Sequence, residues 1–164
     1  MKKFKPVKKH MRLAIRVAEA SHKKQDYSIG AIVTRGSEIV ALGYNHVKQW
    51  NDSTRHAEMM AIHEAVRILK RPYLKDCTMY TTHEPCPMCA GASVWAMLGN
   101  VVYATNQLDM LKQTKLGDKF KWRTIDIKCS EIYAKTNGQK PRLFKNFLRD
   151  EALHLFKRDL ELKK

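Results

Sequence analysis

Two short segments, far apart in the chain, constrain its fold more than any other part of the sequence. They are residues 55–58 and 85–89, and each stands where the hydrophobic pattern predicts the start of a helix. Together they supply one imidazole, from His56, and two thiols, from Cys86 and Cys89. Three such donors are what a catalytic zinc ion uses when its fourth position holds water. A chain that binds zinc in this way must fold so that the two helix starts meet.

The local spacing supports such a metal site. Cys86 and Cys89 are three residues apart, so they face the same way at a helix start, where the positive end of the helix favours thiolates. Pro87 suits the first helical turn. Glu58 follows His56 by two positions, so it points away from coordination but stays within reach of water at the fourth position. We predict one Zn²⁺ per chain, held by His56, Cys86 and Cys89, with Glu58 as the catalytic proton carrier.

A closed, purely structural zinc site is the main alternative from the residues alone. In that site Cys77, Cys129 or His83 provides the fourth ligand, and Glu58 is an ordinary surface residue. Structural sites usually have their cysteines in two close pairs and need no carboxylate beside the histidine. The sequence therefore favours the open, catalytic site and leaves Cys77 and Cys129 without a role.

The hydrophobic pattern predicts helices and strands in alternation. Helical spacing of apolar residues indicates helices at 8–22, 56–69, 87–98 and 142–162, and short apolar runs indicate strands at 29–34, 38–43, 76–82, 100–104 and 124–132. This order predicts a three-layer α/β/α sandwich, with a mixed five-stranded sheet and helices on both faces. With 164 residues, the chain is expected to form a single domain, 1–164.

The chain is strongly basic. Its 31 Lys and Arg residues against 16 Asp and Glu residues give a formal net charge of +15. Such a charge favours a polyanionic partner such as tRNA, and basic residues dispersed for solubility explain it equally well.

No targeting or membrane segment is expected. Arg12 and Arg16 interrupt the apolar positions near the start of the chain, so neither a signal-peptide core nor a membrane span forms there. The close spacing of Cys86 and Cys89 suits metal binding in a reducing compartment rather than a disulfide framework. We therefore expect a cytoplasmic protein without a membrane partner.

Four segments between residues 30 and 104 resemble one known superfamily. They are Gly43-Tyr44-Asn45, Asn51-Asp52, His56-Ala57-Glu58 and Glu84-Pro85-Cys86-Pro87-Met88-Cys89-Ala90-Gly91-Ala92. The pattern is similar to the purine-acting branch of the cytidine-deaminase-like superfamily, which includes tRNA adenosine deaminases and bacterial-type guanine deaminases. The resemblance implies a cytidine-deaminase-like fold, a zinc-dependent hydrolytic deaminase and a homodimer with its sites near the interface.

Residues downstream resemble guanine deaminases more closely than tRNA adenosine deaminases, mainly through the segment 117–122. That resemblance implies conversion of guanine to xanthine and ammonia. It also implies that the small-molecule purine is contacted by Asn45, Ala57, Trp95 and Asp118. The residues alone also allow a loop-capping Asn45, a core Trp95 and an Asp118 in a solvated turn.

Two other functions stay open at this point. Arg55, directly before His56, resembles the eukaryotic tRNA adenosine deaminases, which convert adenosine to inosine in an anticodon loop. The positive charge also favours this function, because phosphate contacts are electrostatic. A nucleic-acid-binding zinc module without catalysis would carry the same metal ligands. Turnover of free purines separates the guanine deaminase from both.

Overall fold

The computed structural model describes residues 4–114 and 125–161, in which helices and strands alternate. Their bounds are α1 Lys8–Lys23, β1 Gly30–Arg35, β2 Glu38–Tyr44, α2 Ala57–Leu69, β3 Cys77–His83, α3 Pro87–Trp95, β4 Asn100–Thr105, α4 Gln107–Thr114, α5 Cys129–Ala134, β5 Arg142–Phe144, α6 Arg149–Ala152 and α7 His154–Glu161. Among these helices, none is both long and apolar enough to cross a membrane.

The strands form one mixed sheet of five, in the order β2-β1-β3-β4-β5. The β1–β2 hairpin is antiparallel, and β1 also pairs antiparallel with β3. Strands β3, β4 and β5 run parallel to one another, and α3 makes the crossover between β3 and β4. A parallel pair needs such a crossover because a tight turn cannot return the chain to the same end of the sheet. The predicted mixed five-stranded sheet is confirmed.

Helices cover both faces of the sheet, and each face has its own apolar core. Successive residues of a strand point to opposite faces, so alternation along the strands decides which core a side chain enters. On one face Val33 and Met79 pack with residues of α2, α3 and α5. On the other face Ile32 and Tyr80 pack with residues of α1, α6 and α7. The predicted three-layer arrangement is confirmed.

The end of the chain departs from the prediction in two places. The strand predicted at 124–132 is wrong, since residues 129–132 belong to the helix α5, Cys129–Ala134, and Thr124 lies outside the described residues. The fifth strand is Arg142–Phe144, where the pattern predicts the start of a closing helix. Helical structure begins only at Arg149.

The spacing of two pairs of apolar residues explains why the sequence of residues 142–148 resembles that of a helix. Leu143 and Phe144 are followed four positions later by Phe147 and Leu148, which is helical spacing. In the structure, however, Leu143 packs into the core that contains α2, whereas Phe144 packs into the core that contains α1. Consecutive side chains point to opposite faces of the sheet in a strand, but not in a helix. Pairing with β4 therefore overrides the local helical pattern.

Gly43 sets how closely β2 approaches α2. A Cβ atom at this position would lie 2.0 Å from the backbone oxygen of Ala57 and 2.6 Å from the backbone nitrogen of Ala61. Only glycine permits such a close approach of strand and helix. It places the start of α2, with His56 and Glu58, directly beside the end of β2.

Candidate metal centre

Two helix starts meet at the candidate metal centre. His56 is the N-cap residue of α2, and Cys86 is the N-cap residue of α3, whose first turn contains Pro87 and Cys89. The Nδ1 atom of His56 lies 3.6 Å from the Sγ atoms of both cysteines. The two Sγ atoms lie 3.7 Å apart. The fold therefore brings together the three residues that the motif spacing singles out.

These separations fit a tetrahedral zinc ion. Zn–S bonds of about 2.3 Å and Zn–N bonds of about 2.0–2.1 Å place two sulfurs about 3.8 Å apart, and a sulfur and a nitrogen about 3.6 Å apart. Two thiolates and an imidazole are also a donor set that zinc prefers. His56, Cys86 and Cys89 are thus arranged to hold Zn²⁺.

Within residues 4–114 and 125–161, no fourth protein donor joins this group. Cys77 and Cys129 are buried elsewhere in the core. The Nδ1 atom of His83 pairs with the hydroxyl of Thr105 at 3.2 Å. A closed structural site that uses Cys77, Cys129 or His83 is therefore contradicted.

Glu58 lies beside the three donors without joining them. Its carboxylate accepts a hydrogen bond from the Thr81 hydroxyl at 3.1 Å, and its second oxygen lies 3.7 Å from the Sγ atom of Cys89. Glu58 is only 3% exposed, which contradicts the alternative of a surface residue. Burial raises the pKa of Glu58, so this carboxyl group holds a proton more readily than an exposed glutamate does. Such a group is suited to accept and return protons.

Cys86 is held in the form that binds metal. Its pKa is lowered to about 4, chiefly by the hydrogen bond between its sulfur and that of Cys89, with the His56 ring as a further cause. Cys86 also stands at the N-terminus of α3, where the positive end of the helix dipole stabilises a negatively charged thiolate. The thiolate, rather than the thiol, is the metal ligand.

Thr81 is a residue of this site that sequence reasoning missed. It is fully buried on β3, on the strand face that Met79 shares, and it fixes the carboxylate of Glu58. A signal is present in the sequence, since two hydroxyl residues, Thr81 and Thr82, end a buried strand immediately before the cysteine motif. A buried hydroxyl needs a hydrogen-bond partner, and Glu58 is that partner.

The predicted purine contacts at Asn45 and Asp118 stay predictions. Asn45 is 2% exposed at the end of β2, and its Oδ1 atom accepts a hydrogen bond from the backbone N–H of Val47 at 3.1 Å. The side-chain oxygen of Asn45 thus caps the following loop, as the loop-capping alternative holds. Asp118 and the segment around it lie outside the described residues.

The predicted purine contacts at Ala57 and Trp95 also stay predictions, and the structure places the two residues differently. Ala57 is 0% exposed and packs in the core beneath β2. Trp95, at the end of α3, is 82% exposed. Exposure of this kind contradicts both a core position and a place in the wall of an enclosed pocket of its own chain.

A family comparison agrees with the geometry of the metal centre. Residues 5–105 match the family described as "Cytidine and deoxycytidylate deaminase zinc-binding region". The chain belongs to this family. Its members are zinc-dependent deaminases, so both the enzyme class and the zinc ion follow from membership and from the His56, Cys86 and Cys89 group.

Similar proteins include both tRNA-specific adenosine deaminases and a guanine deaminase. The chain is 33% identical to a tRNA-specific adenosine deaminase of Aquifex aeolicus, over 74% of this chain and 87% of the relative. It is 40% identical to a guanine deaminase of Bacillus subtilis, over 62% of this chain and 65% of the relative. A match to a tRNA(Ile)-lysidine synthase of Deinococcus radiodurans spans only 17% of that protein.

The solved structures agree on the fold. A guanine deaminase of Nitrosomonas europaea is similar with a TM-score of 0.78 at 21% identity, over 96% of this chain and 86% of that one. A structure from a study of tRNA:A34 deaminases is similar with a TM-score of 0.74 at 23% identity, over 91% of this chain and 99% of that one. The cytidine-deaminase-like fold is therefore confirmed.

Proposed function

We propose that the chain deaminates a free purine base, converting guanine and water to xanthine and ammonia. One observation carries the proposal. Three grouped donors leave the fourth position of a tetrahedral metal site open, and the buried carboxyl group of Glu58 lies beside them. Such a site suits addition of water to an amino-bearing aromatic carbon, because the reaction needs an activated water and a group that moves protons.

The residues of this chain divide the chemistry between them. His56, Cys86 and Cys89 would hold the metal. Bound there, zinc supplies Lewis acidity that lowers the pKa of water toward neutrality. Glu58 would accept one proton of the attacking water and deliver it to a ring nitrogen of the purine, while the water oxygen bonds to the amino-bearing carbon. Glu58 would then carry the remaining proton of that water to the amino group, so that the carbon–nitrogen bond breaks and ammonia leaves.

Three further residues are assigned roles in the proposed reaction. Thr81 holds one oxygen of Glu58, which leaves the other oxygen directed toward the metal ligands. Asn45 and Asp118 would recognise the edge of the purine by hydrogen bonds. A site that pairs its polar groups with one base rejects analogues that leave those groups unpaired.

A substrate panel tests this proposal. We expect the purified, zinc-loaded chain to release ammonia and xanthine from guanine, and not from guanosine or cytosine. Adenine is included to measure how strictly the site selects between purines. The assay follows ammonia by a coupled enzyme and the purine by ultraviolet absorbance. Absence of ammonia from all four compounds would contradict a free-base deaminase.

A second function, deamination of adenosine in tRNA, is favoured by two observations. The Aquifex tRNA-specific relative matches over more of this chain than the Bacillus guanine deaminase does. The net charge of +15 also suits a polyanionic substrate, since phosphate contacts are electrostatic. Inosine in tRNA treated with the chain would support this function. Salt-sensitive tRNA binding without turnover of any base or RNA would instead support a non-catalytic binding module.

We also propose that the protein is a homodimer whose interface includes Trp95. Trp95 is 82% exposed and Tyr73 is 50% exposed. The residues that follow them in the chain are joined by a hydrogen bond from the backbone N–H of Leu74 to the backbone oxygen of Ala96. Exposed aromatic residues such as these are enriched at protein interfaces.

Trp95→Ala is expected to weaken self-association, because a buried interface tryptophan contributes about 2 kcal/mol or more, roughly thirtyfold in the dissociation constant. Analytical ultracentrifugation measures this constant. The control is Trp50→Ala, which removes a tryptophan of 51% exposure that stacks on His46 in the loop before α2. A parent chain that stays monomeric at every concentration, or an unchanged Trp95→Ala dimer, would exclude this interface.

The location that we propose is the cytoplasm. All four cysteines are free in the structure, and two of them belong to the candidate metal centre. Free thiols that bind metal are typical of reducing compartments.

A further inference from the structure

The helix α5 makes two polar contacts with the segment that carries both metal-binding cysteines. This segment runs from residue 84, directly after β3, to residue 93, in the second turn of α3. Cys129 begins α5 and Tyr133 lies one turn later. Both are buried, at 0% and 4% exposure, and both belong to the core that α2 and α3 share.

The first contact joins α5 to α3 through hydroxyl groups. The hydroxyl of Ser93 donates to the backbone oxygen of Ala90 at 2.7 Å, and the hydroxyl of Tyr133 lies 2.8 Å from that of Ser93. Because the Ser93 hydrogen is used, Tyr133 is the donor between them. Ser93 lies four residues after Cys89, which is one turn along the same face of α3.

The second contact lies on the other side of the cysteines. The thiol and the backbone N–H of Cys129 both donate to the Glu84 carboxylate, each at 3.3 Å. The backbone N–H of Glu84 donates to the oxygen of Thr105 at 2.7 Å, which ties Glu84 to the end of β4. Glu84 stands two residues before Cys86. The segment is therefore held before its first cysteine and after its second.

We infer that α5 is a positioning element of the metal centre, in which Tyr133 and Cys129 fix the segment 84–93 so that its two thiolates keep the spacing zinc requires. The inference rests on the proposed metal role of Cys86 and Cys89. Zinc binds a preformed set of ligands more tightly, because less conformational freedom is lost on binding. Residues that orient metal ligands from outside the coordination sphere typically contribute about 10–100-fold to metal affinity or activity.

A pair of tyrosine variants tests the inference. Tyr133→Phe removes the hydroxyl that holds α3. Tyr80→Phe is the matched control, since Tyr80 is also buried and its hydroxyl accepts one hydrogen bond, from the backbone N–H of Val7, on the opposite face of the sheet. Zinc dissociation constants are measured by competition with a chelator. We expect about tenfold weaker zinc binding in Tyr133→Phe and an unchanged constant in Tyr80→Phe.

Replacing zinc with Co²⁺ gives a second measurement, one that a general loss of protein stability does not change. The absorption of Co²⁺ bound to thiolates reports their geometry, and we expect an altered spectrum in Tyr133→Phe and the parent spectrum in Tyr80→Phe. If Tyr133→Phe does not fold, Cys129→Ala replaces it, with Cys77→Ala as the control for a buried cysteine of the same core.

The outcomes separate this inference from the proposed function. A parent chain that binds zinc, together with Tyr133→Phe and Cys129→Ala variants of parent affinity and spectrum, would overturn the positioning role alone. Equal weakening in Tyr80→Phe would also overturn it, because the effect would then come from lost stability. A parent chain that binds no zinc would overturn the proposed metal site itself.

Discussion

Replacing Glu58 with glutamine lowers the turnover number of the zinc-loaded chain by about 10²–10⁴-fold, the range that a positioned proton carrier contributes. Glutamine has nearly the same shape and can still accept the hydrogen bond that Thr81 donates to Glu58. It cannot accept and return a proton. Since Glu58 is not one of the grouped donors, zinc content is expected to stay at one ion per chain.

The measurement combines steady-state deamination with metal analysis of the same sample. Glu64→Gln is the matched control, because Glu64 lies on the same helix and pairs with Arg67 at the surface. We expect this control to keep both zinc and turnover. Full activity in Glu58→Gln would exclude the proton-carrier role, and loss of zinc would mean that Glu58 belongs among the ligands.

Cys89→Ser is expected to lose most of its zinc and, with it, nearly all deaminase activity. Cys89 is fully buried and is one of the three grouped donors, so no surface residue can take its place. A serine hydroxyl is a poor substitute because it is not ionised near neutral pH, whereas zinc binds the ionised thiolate. Metal analysis after dialysis, alongside the deaminase assay, measures both losses.

Cys77→Ser provides the control for Cys89→Ser. Cys77 is also fully buried, but it contacts Arg71 and Asp76 at the start of β3 rather than the metal group. We expect this variant to retain its zinc. Parent-like zinc binding by Cys89→Ser would remove that cysteine from the ligand set.

The meeting of His56, Cys86 and Cys89 could be predicted because their chemistry and spacing are local. Each motif opens a helix, and both helix starts carry residues whose side chains suit only a few roles. The layers of the fold could be predicted for a similar reason, since β1, β3 and β4 are buried on both faces and stand out as short apolar runs.

The errors arose where tertiary packing decides the outcome. Whether Trp95 lies in a pocket or at the surface depends on how α3 packs against the rest of the chain, and the sequence of α3 alone does not determine that packing. The helix α5 was predicted as a strand because its short apolar pattern fits either structure, and packing against α3 selects the helix. Thr81 was missed because its partner, Glu58, lies on a different element and is adjacent only in the folded chain.

X-ray absorption at the zinc edge tests the central claim most directly, since it counts the atoms bound to the metal in the purified chain. We predict one zinc ion per chain with two sulfur neighbours, one imidazole nitrogen and one light atom from solvent, consistent with the His56, Cys86 and Cys89 group. A chain without metal, or a zinc ion with all four positions filled by protein donors, would contradict it.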